Sequence, residues 1–173
     1  MKDKYDLSML RKKPKRKNSR SKGNAFERKI CSMLNHRFKS AEFSRSPGSG
    51  AFATSHTLPA HLQIYGDLIT PLNFKYCIEC KKGYNNLNLY SLYNYSSEIW
   101  KFIEQSEKDA EKCNKIPMVI FKQDRHPILT IVPIENAFDY KNLKYIDIHK
   151  KKTYRVYLFE EILKCWDSMW FDS

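Results

Sequence analysis

Apolar residues recur at helical spacing in three parts of the chain. The spacing i, i+4, i+7, i+8 predicts an amphipathic helix over residues 24–38, and at about 100° per residue Glu27 borders its buried face. A second helix is predicted over residues 96–113, with Ser96 or Ser97 as its N-cap. A third amphipathic helix is predicted to close the chain. The inward-facing positions are Phe26, Ile30, Met33 and Leu34 in the first helix, Ile99, Ile103 and Ala110 in the second, and Ile162, Leu163, Trp166 and Trp170 in the third.

Short apolar runs bounded by turn residues predict strands. The run 41–46 would place Phe43 and Arg45 on one face. The runs 63–70 and 74–81 are joined by "PLN", which predicts a hairpin. Further strands are predicted at 117–122, 128–133, 145–149 and 153–159. The order helix, strands, helix, strands predicts an α/β core with a mixed central sheet flanked by helices.

One predicted strand carries charged residues on a single face. Side chains alternate along a strand, so Glu79 and Lys81 share a face, and Asp67 follows a glycine in the preceding strand. If the two strands pair, the two carboxylates lie within a few ångströms of each other. Because two close carboxylates repel, they need a cation, and oxygen ligands favour a hard divalent ion such as Mg²⁺. The alternative is that Glu79 and Lys81 form an ordinary exposed ion pair on an edge strand.

Composition adds a class of partner. The chain has 173 residues, of which 42% are hydrophobic, which suits one domain with its own core. Lys and Arg number 31 against 19 Asp and Glu, a net charge of +12 that favours a polyanion, most economically nucleic acid. Five cysteines at irregular spacing argue against a secreted disulfide framework, and no apolar stretch is long enough for a membrane span. We therefore expect a cytoplasmic protein.

The basic residues concentrate near the start of the chain. The stretch "RKKPKRKNSRSKG" has no apolar periodicity, which predicts a flexible basic arm over residues 1–22 and a single domain over residues 23–173. The arm would lie along phosphates, and a solubilising tail is the alternative.

Four short motifs carry a resemblance to a known family. "GNAFERKI", "SRSPGSGA", "GDLI" and "CIECKKG", in this order, resemble the PD-(D/E)XK nuclease superfamily. Within it they are most similar to Holliday junction resolvases of the archaeal type and to related phage nucleases, over about residues 22–135. The resemblance implies a restriction-endonuclease-like core, a homodimer, and branched DNA such as a four-way junction as the substrate.

The resemblance also implies the site residues. The active site would consist of Glu27, Asp67, Glu79 and Lys81. Mg²⁺, for which Mn²⁺ should substitute, would be bound by Asp67, Glu79 and the main-chain carbonyl of Cys80. Residues assigned to DNA binding are Arg28, Arg45, Ser49, Lys82 and Lys122; for Lys122, and for the polar residue Gln105, packing or solvation explains the residue equally well. The family's usual proline before the aspartate is Gly66 here, and the insertion at 51–65 is longer than in the compact archaeal enzymes.

Several signals admit a second interpretation. Glu27 with Asn24 also fits a helix capping box. The tyrosines of "YNNLNLYSLYNYSSEIW" could stack on bases or sugars, or pack half-buried in a loop. Cys77 and Cys80 could suggest zinc, but alternation puts their sulfurs on opposite faces and no second ligand pair completes the site. His56 and His61, in the long loop, are most simply solvated.

These observations predict a Mg²⁺-dependent endonuclease that hydrolyses phosphodiester bonds at branched DNA in recombination, repair or replication. A restriction-like or general repair nuclease of the same superfamily is the alternative that keeps the chemistry. The alternative without catalysis is a nucleic-acid-binding protein whose active site is degenerate. If a virus encodes the protein, the host cytoplasm is the expected compartment.

Overall fold

The computed structural model describes residues 19–47 and 65–172. Three sequence-based assignments fall outside these ranges: most of the basic arm, the loop residue Ser49, and the insertion with its two histidines. Within the described ranges, no helix combines the length and the apolar character needed to cross a bilayer.

The first helix, α1, is Ser19–Arg37. It starts five residues before the predicted boundary, so residues 19–22, which we assigned to the arm, are helical. Lysine and arginine are good helix formers, and a solvated basic turn can therefore extend a helix whose buried face begins at Phe26. The predicted buried stripe is confirmed for Phe26, Ile30 and Leu34.

A five-stranded mixed sheet forms the centre of the fold. Its strands are β3 at Tyr76–Lys82, β4 at Ile116–Lys122, β5 at Leu129–Pro133, β6 at Tyr145–His149 and β7 at Thr153–Leu158, and they lie side by side in the order β3-β4-β5-β7-β6. The strands β3 and β4 are parallel, and the remaining pairs are antiparallel. The crossover between the parallel strands contains the helix α2, Glu98–Cys113, which follows the predicted cap Ser97. The predicted α/β core with a mixed sheet is confirmed.

The hairpin predicted between residues 63–70 and 74–81 is wrong. The strand β2, Leu68–Ile69, pairs with β1, Ser44–Arg45, in a separate two-stranded sheet. Gly66 explains why: it has a left-handed φ of +71°, and an added Cβ would lie 2.6 Å from the carbonyl oxygen of Ile78. The backbone at Gly66 therefore approaches the edge of β3 closely at one point instead of running along it as a paired strand.

Helices cover both faces of the sheet and bury two apolar clusters. On one face, α1 packs with Ile78, Cys80 and Ile120 in the larger cluster. On the other face, α2 supplies Trp100 and Ile103 to the second cluster. Since β3 is an edge strand with a helix on each side, its faces are buried while its outer edge is free for other groups.

The long closing helix is also wrong. The helix α3 spans only Phe159–Ile162, and a 3₁₀ turn follows at Asp167–Met169. The chain then runs back to the two residues before β3, where Phe171 forms a β-bridge with Phe74 and the carbonyl of Trp170 accepts a hydrogen bond from Lys75 N (2.8 Å). A continuous helix would carry Trp170 away from the core in which it is fully buried, whereas Trp166 remains 66% exposed.

Candidate active site

Charged residues from β3, from the position just before β2, from α1 and from β1 converge on one cluster. Alternation along β3 directs Glu79 and Lys81 toward α2, and directs Ile78 and Cys80 toward α1. Glu79 is buried although it is a carboxylate. A buried charge next to an apolar core calls for a compensating partner.

Asp67 lies against the free edge of β3 and is held there by main-chain contacts. Its N–H donates to the carbonyl of Ile78 (2.9 Å), and its Oδ2 accepts from the N–H of Cys80 (2.8 Å). Its own carbonyl accepts from the N–H of Ser46 (2.9 Å). Because a residue in a strand points its N–H and carbonyl to the same side, the carbonyl of Cys80 leaves β3 on the edge that Asp67 occupies.

Both carboxylates have a raised pKa. Burial, and next the charge of Glu79, raise the pKa of Asp67 to about 7. Burial also raises the pKa of Glu79, and the neighbouring ammonium of Lys81 offsets only part of that effect. The positive charge near the two carboxylates is therefore too small to offset their burial. This is the property expected of carboxylates that bind a cation.

Lys81 is the cation that this cluster already contains. Its Nζ donates a hydrogen bond to Glu79 Oε1 and lies 5.5 Å from the ring centroid of Phe102. Burial alone would lower the pKa of Lys81, but Glu79 outweighs burial and the net pKa is raised. The side chain is therefore charged at neutral pH, which suits it to stabilise negative charge rather than to remove a proton.

Glu27 approaches the same cluster from α1. Its Oε2 accepts from Arg45 Nε at 2.5 Å, and the same guanidinium donates to Asn24 Oδ1 at 3.1 Å. The charge of Glu27 contributes to the raised pKa values of Asp67 and Glu79. The capping-box interpretation of Glu27 is wrong, because α1 begins at Ser19 and Asn24 lies inside it.

Comparisons with known proteins address this arrangement of motifs. Residues 18–171 match the sequence profile of the family described as "Phage putative PDDEXK endonuclease". The chain belongs to this family. The predicted membership of the PD-(D/E)XK superfamily is thereby confirmed, and with it the restriction-endonuclease-like class of the α/β core.

Two individual proteins are also similar to this PD-(D/E)XK chain. Protein D14 of Escherichia phage T5 is 37% identical over 113 residues, which cover 62% of this chain and 66% of that protein, just under two thirds of its length. The structure of Hjc, a Holliday junction resolvase from Archaeoglobus fulgidus, superposes with a TM-score of 0.42 and 19% identity over 77% of this chain and 86% of Hjc. A superposition this loose says nothing about activity.

The residues predicted to bind DNA are distributed unevenly around this PD-(D/E)XK site. Arg45 is in the ion pair with Glu27, whereas Arg28 is exposed on α1. Lys82 and Lys122 face each other across the β3–β4 pairing, and Lys122 Nζ donates to the carbonyl of His126. A pair of lysines at adjacent strand ends provides a basic surface immediately beyond Lys81.

The sequence analysis assigned no role to Asp109, which is half-buried beside the buried stripe of α2. Its carboxylate accepts hydrogen bonds from Gln105 Nε2 (2.6 Å) and Lys112 Nζ (2.9 Å). Its charge contributes to the raised pKa of Glu79, which lies on the face of β3 that is directed toward α2. The signal was available, because Asp109 is three residues after the buried Ser106 and precedes the buried Ala110.

The cysteines of β3 separate as alternation predicts. Burial and contact with the Cys113 thiol raise the pKa of the Cys77 thiol, and Cys80 lies in the apolar cluster with Cys31 on the opposite face. Among residues 19–47 and 65–172, no three or more His, Cys, Asp and Glu side chains are placed to hold a metal ion together. The predicted ligand set differs in kind, since it combines two carboxylates with one main-chain carbonyl.

Proposed function

We propose that this chain is a Mg²⁺-dependent DNA endonuclease. The observation that carries the proposal is the pair of buried carboxylates, Asp67 and Glu79, on the edge strand β3 with the ammonium of Lys81 beside them. Burying two interacting acids is costly unless a cation neutralises them. In a metal-dependent nuclease, the metal cofactor would be that cation. The net charge of +12 favours binding to the phosphodiester backbone of a nucleic acid.

The donor set fits a hard divalent cation. Asp67, Glu79 and the carbonyl of Cys80 offer only oxygen atoms, and Mg²⁺ prefers oxygen ligands while keeping several waters; Mn²⁺ should substitute. A cation bound there would polarise the scissile phosphate and lower the pKa of a bound water. The raised pKa of Asp67 supports this assignment, since a divalent charge would relieve the repulsion that raises it.

The chain's own residues would perform the remaining tasks. The ammonium of Lys81 would orient the attacking water and stabilise the negative charge that develops on the phosphate. Glu27 would hold a water through the oxygen atom that Arg45 leaves free. Arg28, Arg45, Lys82 and Lys122, together with Ser49 and the basic arm, would hold the DNA backbone, so that recognition reads shape more than base sequence.

We propose branched DNA, in particular a four-way junction, as the substrate, and a homodimer as the active form. The four motifs that resemble junction resolvases support the first proposal. Two sites would be needed for symmetric cuts in two strands, which is the reason for the second. Residues 23–173 would form one nuclease domain, together with the helical residues 19–22, and a phage protein of this kind would act in the host cytoplasm.

The test is a panel of synthetic four-way junction, flap and linear duplex DNA, incubated with Mg²⁺ and then with EDTA. We expect cutting of the junction that needs the metal and leaves the linear duplex largely intact. Equal cutting of the linear duplex would identify a restriction-like or general repair nuclease instead. Binding without Mg²⁺-dependent cutting of any substrate would identify a non-catalytic DNA-binding protein.

A further inference from the structure

The segment that follows β3 presents tyrosine side chains to solvent. Tyr90 is 81% exposed, Tyr93 is 82% exposed and Tyr95 is 57% exposed. Tyr84, at the start of the segment, is 40% exposed. We call these four residues the tyrosine surface. Half-buried loop packing, one of the two interpretations from the sequence, does not describe Tyr90 and Tyr93.

The backbone that carries the tyrosine surface is held firmly. Gln123 Nε2 donates to the carbonyls of Tyr84 (2.9 Å) and Leu87 (2.7 Å), and Trp100 Nε1 donates to the carbonyl of Leu92 (3.2 Å). The side chains of Leu87 and Leu92 pack against the second apolar cluster. Leu87 and Leu92 are therefore partly buried in the fold, whereas Tyr90 and Tyr93 of the same segment point to solvent although the backbone around them is packed.

An unbroken series of contacts joins the tyrosine surface to the candidate active site. The ring of Tyr84 meets the ring of Phe102 edge to face, with centroids 4.7 Å apart. Lys81 Nζ lies 5.5 Å from the centroid of that same Phe102 ring. Tyr84 is thus one aromatic ring away from the lysine that we assign to the reaction.

Positively charged residues lie near Asp124, which contacts the start of the segment. Asn85, next to Tyr84, exchanges hydrogen bonds with Asp124, through Asn85 Nδ2 to Asp124 Oδ2 (3.0 Å) and Asp124 N–H to Asn85 Oδ1 (2.9 Å). The pKa of Asp124 is lowered first by that side-chain contact and then by the charges of Lys22, Lys82 and Lys122. Lys82 and Lys122 are paired at the adjacent ends of β3 and β4, and Lys22 of α1 acts on the same acid, so these three lysines offer a place where a strand of phosphates could be bound.

We propose that the tyrosine surface stacks on unpaired bases of a DNA strand whose phosphates lie on Lys22, Lys82 and Lys122. The proposal deepens the endonuclease function and rests on it, because it narrows the substrate to branched DNA with a single-stranded segment. Exposed aromatic rings beside a basic track are the combination by which proteins bind single strands without reading their sequence. Each stacked base contributes about 1–3 kcal/mol by alanine substitution, and two together should change affinity by tenfold or more.

The experiment compares two forked DNAs that differ only in whether the nucleotides of one arm carry thymine or no base. Binding is measured in EDTA, so that no strand is cut. We expect the wild-type chain to bind the base-containing fork at least about tenfold more tightly than the abasic fork. In Y90A/Y93A this ratio should fall close to one, while the affinity for fully paired duplex stays unchanged.

Two control variants separate stacking from other effects. Y90F/Y93F keeps the rings and should keep the ratio. Tyr145→Ala removes an exposed tyrosine from β6, at the opposite edge of the sheet, and should keep it as well. Melting curves by circular dichroism check that all variants fold.

Other results would overturn the proposal. An unchanged ratio in Y90A/Y93A would show that the rings do not contact bases. If Y90A/Y93A instead converts a dimer into a monomer in sedimentation experiments and leaves the ratio unchanged, the surface is an interface between copies of the chain.

The outcome is independent of whether the chain cuts DNA. A ratio that depends on Tyr90 and Tyr93 in a protein that cuts no DNA with Mg²⁺ would support the tyrosine surface and refute the endonuclease function. Mg²⁺-dependent cutting by a protein whose binding does not depend on the bases would support the endonuclease function and refute the role of the tyrosine surface.

Discussion

The carboxylate of Asp67 accepts a hydrogen bond from the main-chain N–H of Cys80 at 2.8 Å, on the free edge of β3. The side chain thereby takes the place that the carbonyl of a further strand would occupy. One hydrogen bond orients the carboxylate but does not neutralise it, and the pKa of Asp67 is still raised to about 7 by burial and by Glu79. The carboxylate is therefore positioned without a bound cation. Its burial lowers the free energy of unfolding near neutral pH, and a bound cation would offset that loss.

The first prediction concerns Asp67→Asn and pH. The unfolded aspartate has its ordinary pKa of 3.8 and the folded one about 7, so the folded chain binds more protons between these values and its stability falls as pH rises through this window. The amide keeps an acceptor for Cys80 N–H and carries no charge. We expect Asp67→Asn to raise the free energy of unfolding by about 2–4 kcal/mol near pH 8 and by little below pH 4. Urea unfolding at several pH values measures the difference, and a variant less stable than wild type at pH 8 would contradict it.

The second prediction concerns the metal. Since Mg²⁺ would bind the folded chain only, an excess of about a hundredfold over its Kd should stabilise the protein by about 2.7 kcal/mol. Thermal unfolding near pH 8, with and without Mg²⁺, measures this gain without any DNA. The gain should be absent in Asp67→Asn and in Glu79→Gln, and present in the control Asp124→Asn, whose exposed acid lies outside the ligand set. An equal gain in all four proteins would point to nonspecific binding.

The third prediction separates catalysis from binding. Glu79→Ala should reduce Mg²⁺-dependent cutting by about 10³-fold or more, because it removes a metal ligand and the partner of Lys81. DNA affinity in EDTA should stay within a few-fold of wild type, because Glu79 is not one of the basic residues that would contact phosphates. Cutting rates and fluorescence anisotropy on the same junction provide both numbers. Retained cutting would remove Glu79 from the active site.

The fourth prediction contrasts two arginines that the family motif treats alike. Arg45→Ala leaves Glu27 partly buried without its partner and should lower the free energy of unfolding by about 1–3 kcal/mol. Arg28 is exposed, so Arg28→Ala should leave the free energy of unfolding unchanged while it weakens DNA binding. The slope of log DNA affinity against log salt concentration should decrease by about one, as expected for the loss of one phosphate contact. Urea unfolding and binding isotherms at several salt concentrations measure these effects. Equal losses of stability would refute the distinction.

The fifth prediction uses two glycines with positive φ. At Gly66 an added Cβ would meet the Ile78 carbonyl oxygen at 2.6 Å, whereas at Gly83, with φ of +104°, it would meet nothing within 4 Å. Both alanine variants carry backbone strain of about 1–3 kcal/mol, and only Gly66→Ala adds the collision. We therefore expect Gly66→Ala to be clearly the less stable of the two in urea unfolding. Equal stabilities would mean that the chain next to Asp67 can move away from β3.

Local sequence patterns correctly predicted those helices and strands whose location does not depend on contacts with distant segments. The strands β4 to β7 and the helix α2 appear where apolar spacing and turn residues predict them. Alternation correctly separated Cys77 from Cys80 and placed Glu79 and Lys81 together on β3. These features depend on the period of the backbone, which a short stretch of sequence already contains.

The failures share a different cause. The predicted hairpin gave way to the β1–β2 pairing, the cap assigned to Asn24 became an internal helical residue bonded to Arg45, and the closing helix ended after one turn. In each case the deciding partner is distant in the chain, as when Arg37 Nε donates to the carbonyl of Leu163 at 2.6 Å. The hydrophobic periodicity of a short stretch of sequence contains no information about such long-range contacts.

The sequence by itself determined the family and the mixed α/β core and predicted the four residues of the candidate active site, because motif spacing and side-chain alternation are properties of neighbouring residues. Only the tertiary structure decided that Asp67 lies on the free edge of β3, that Glu27 pairs with Arg45, and that the tyrosine surface faces solvent. These relationships depend on which segments pack together, and packing is selected by the free energy of the whole fold, not by any one stretch of it.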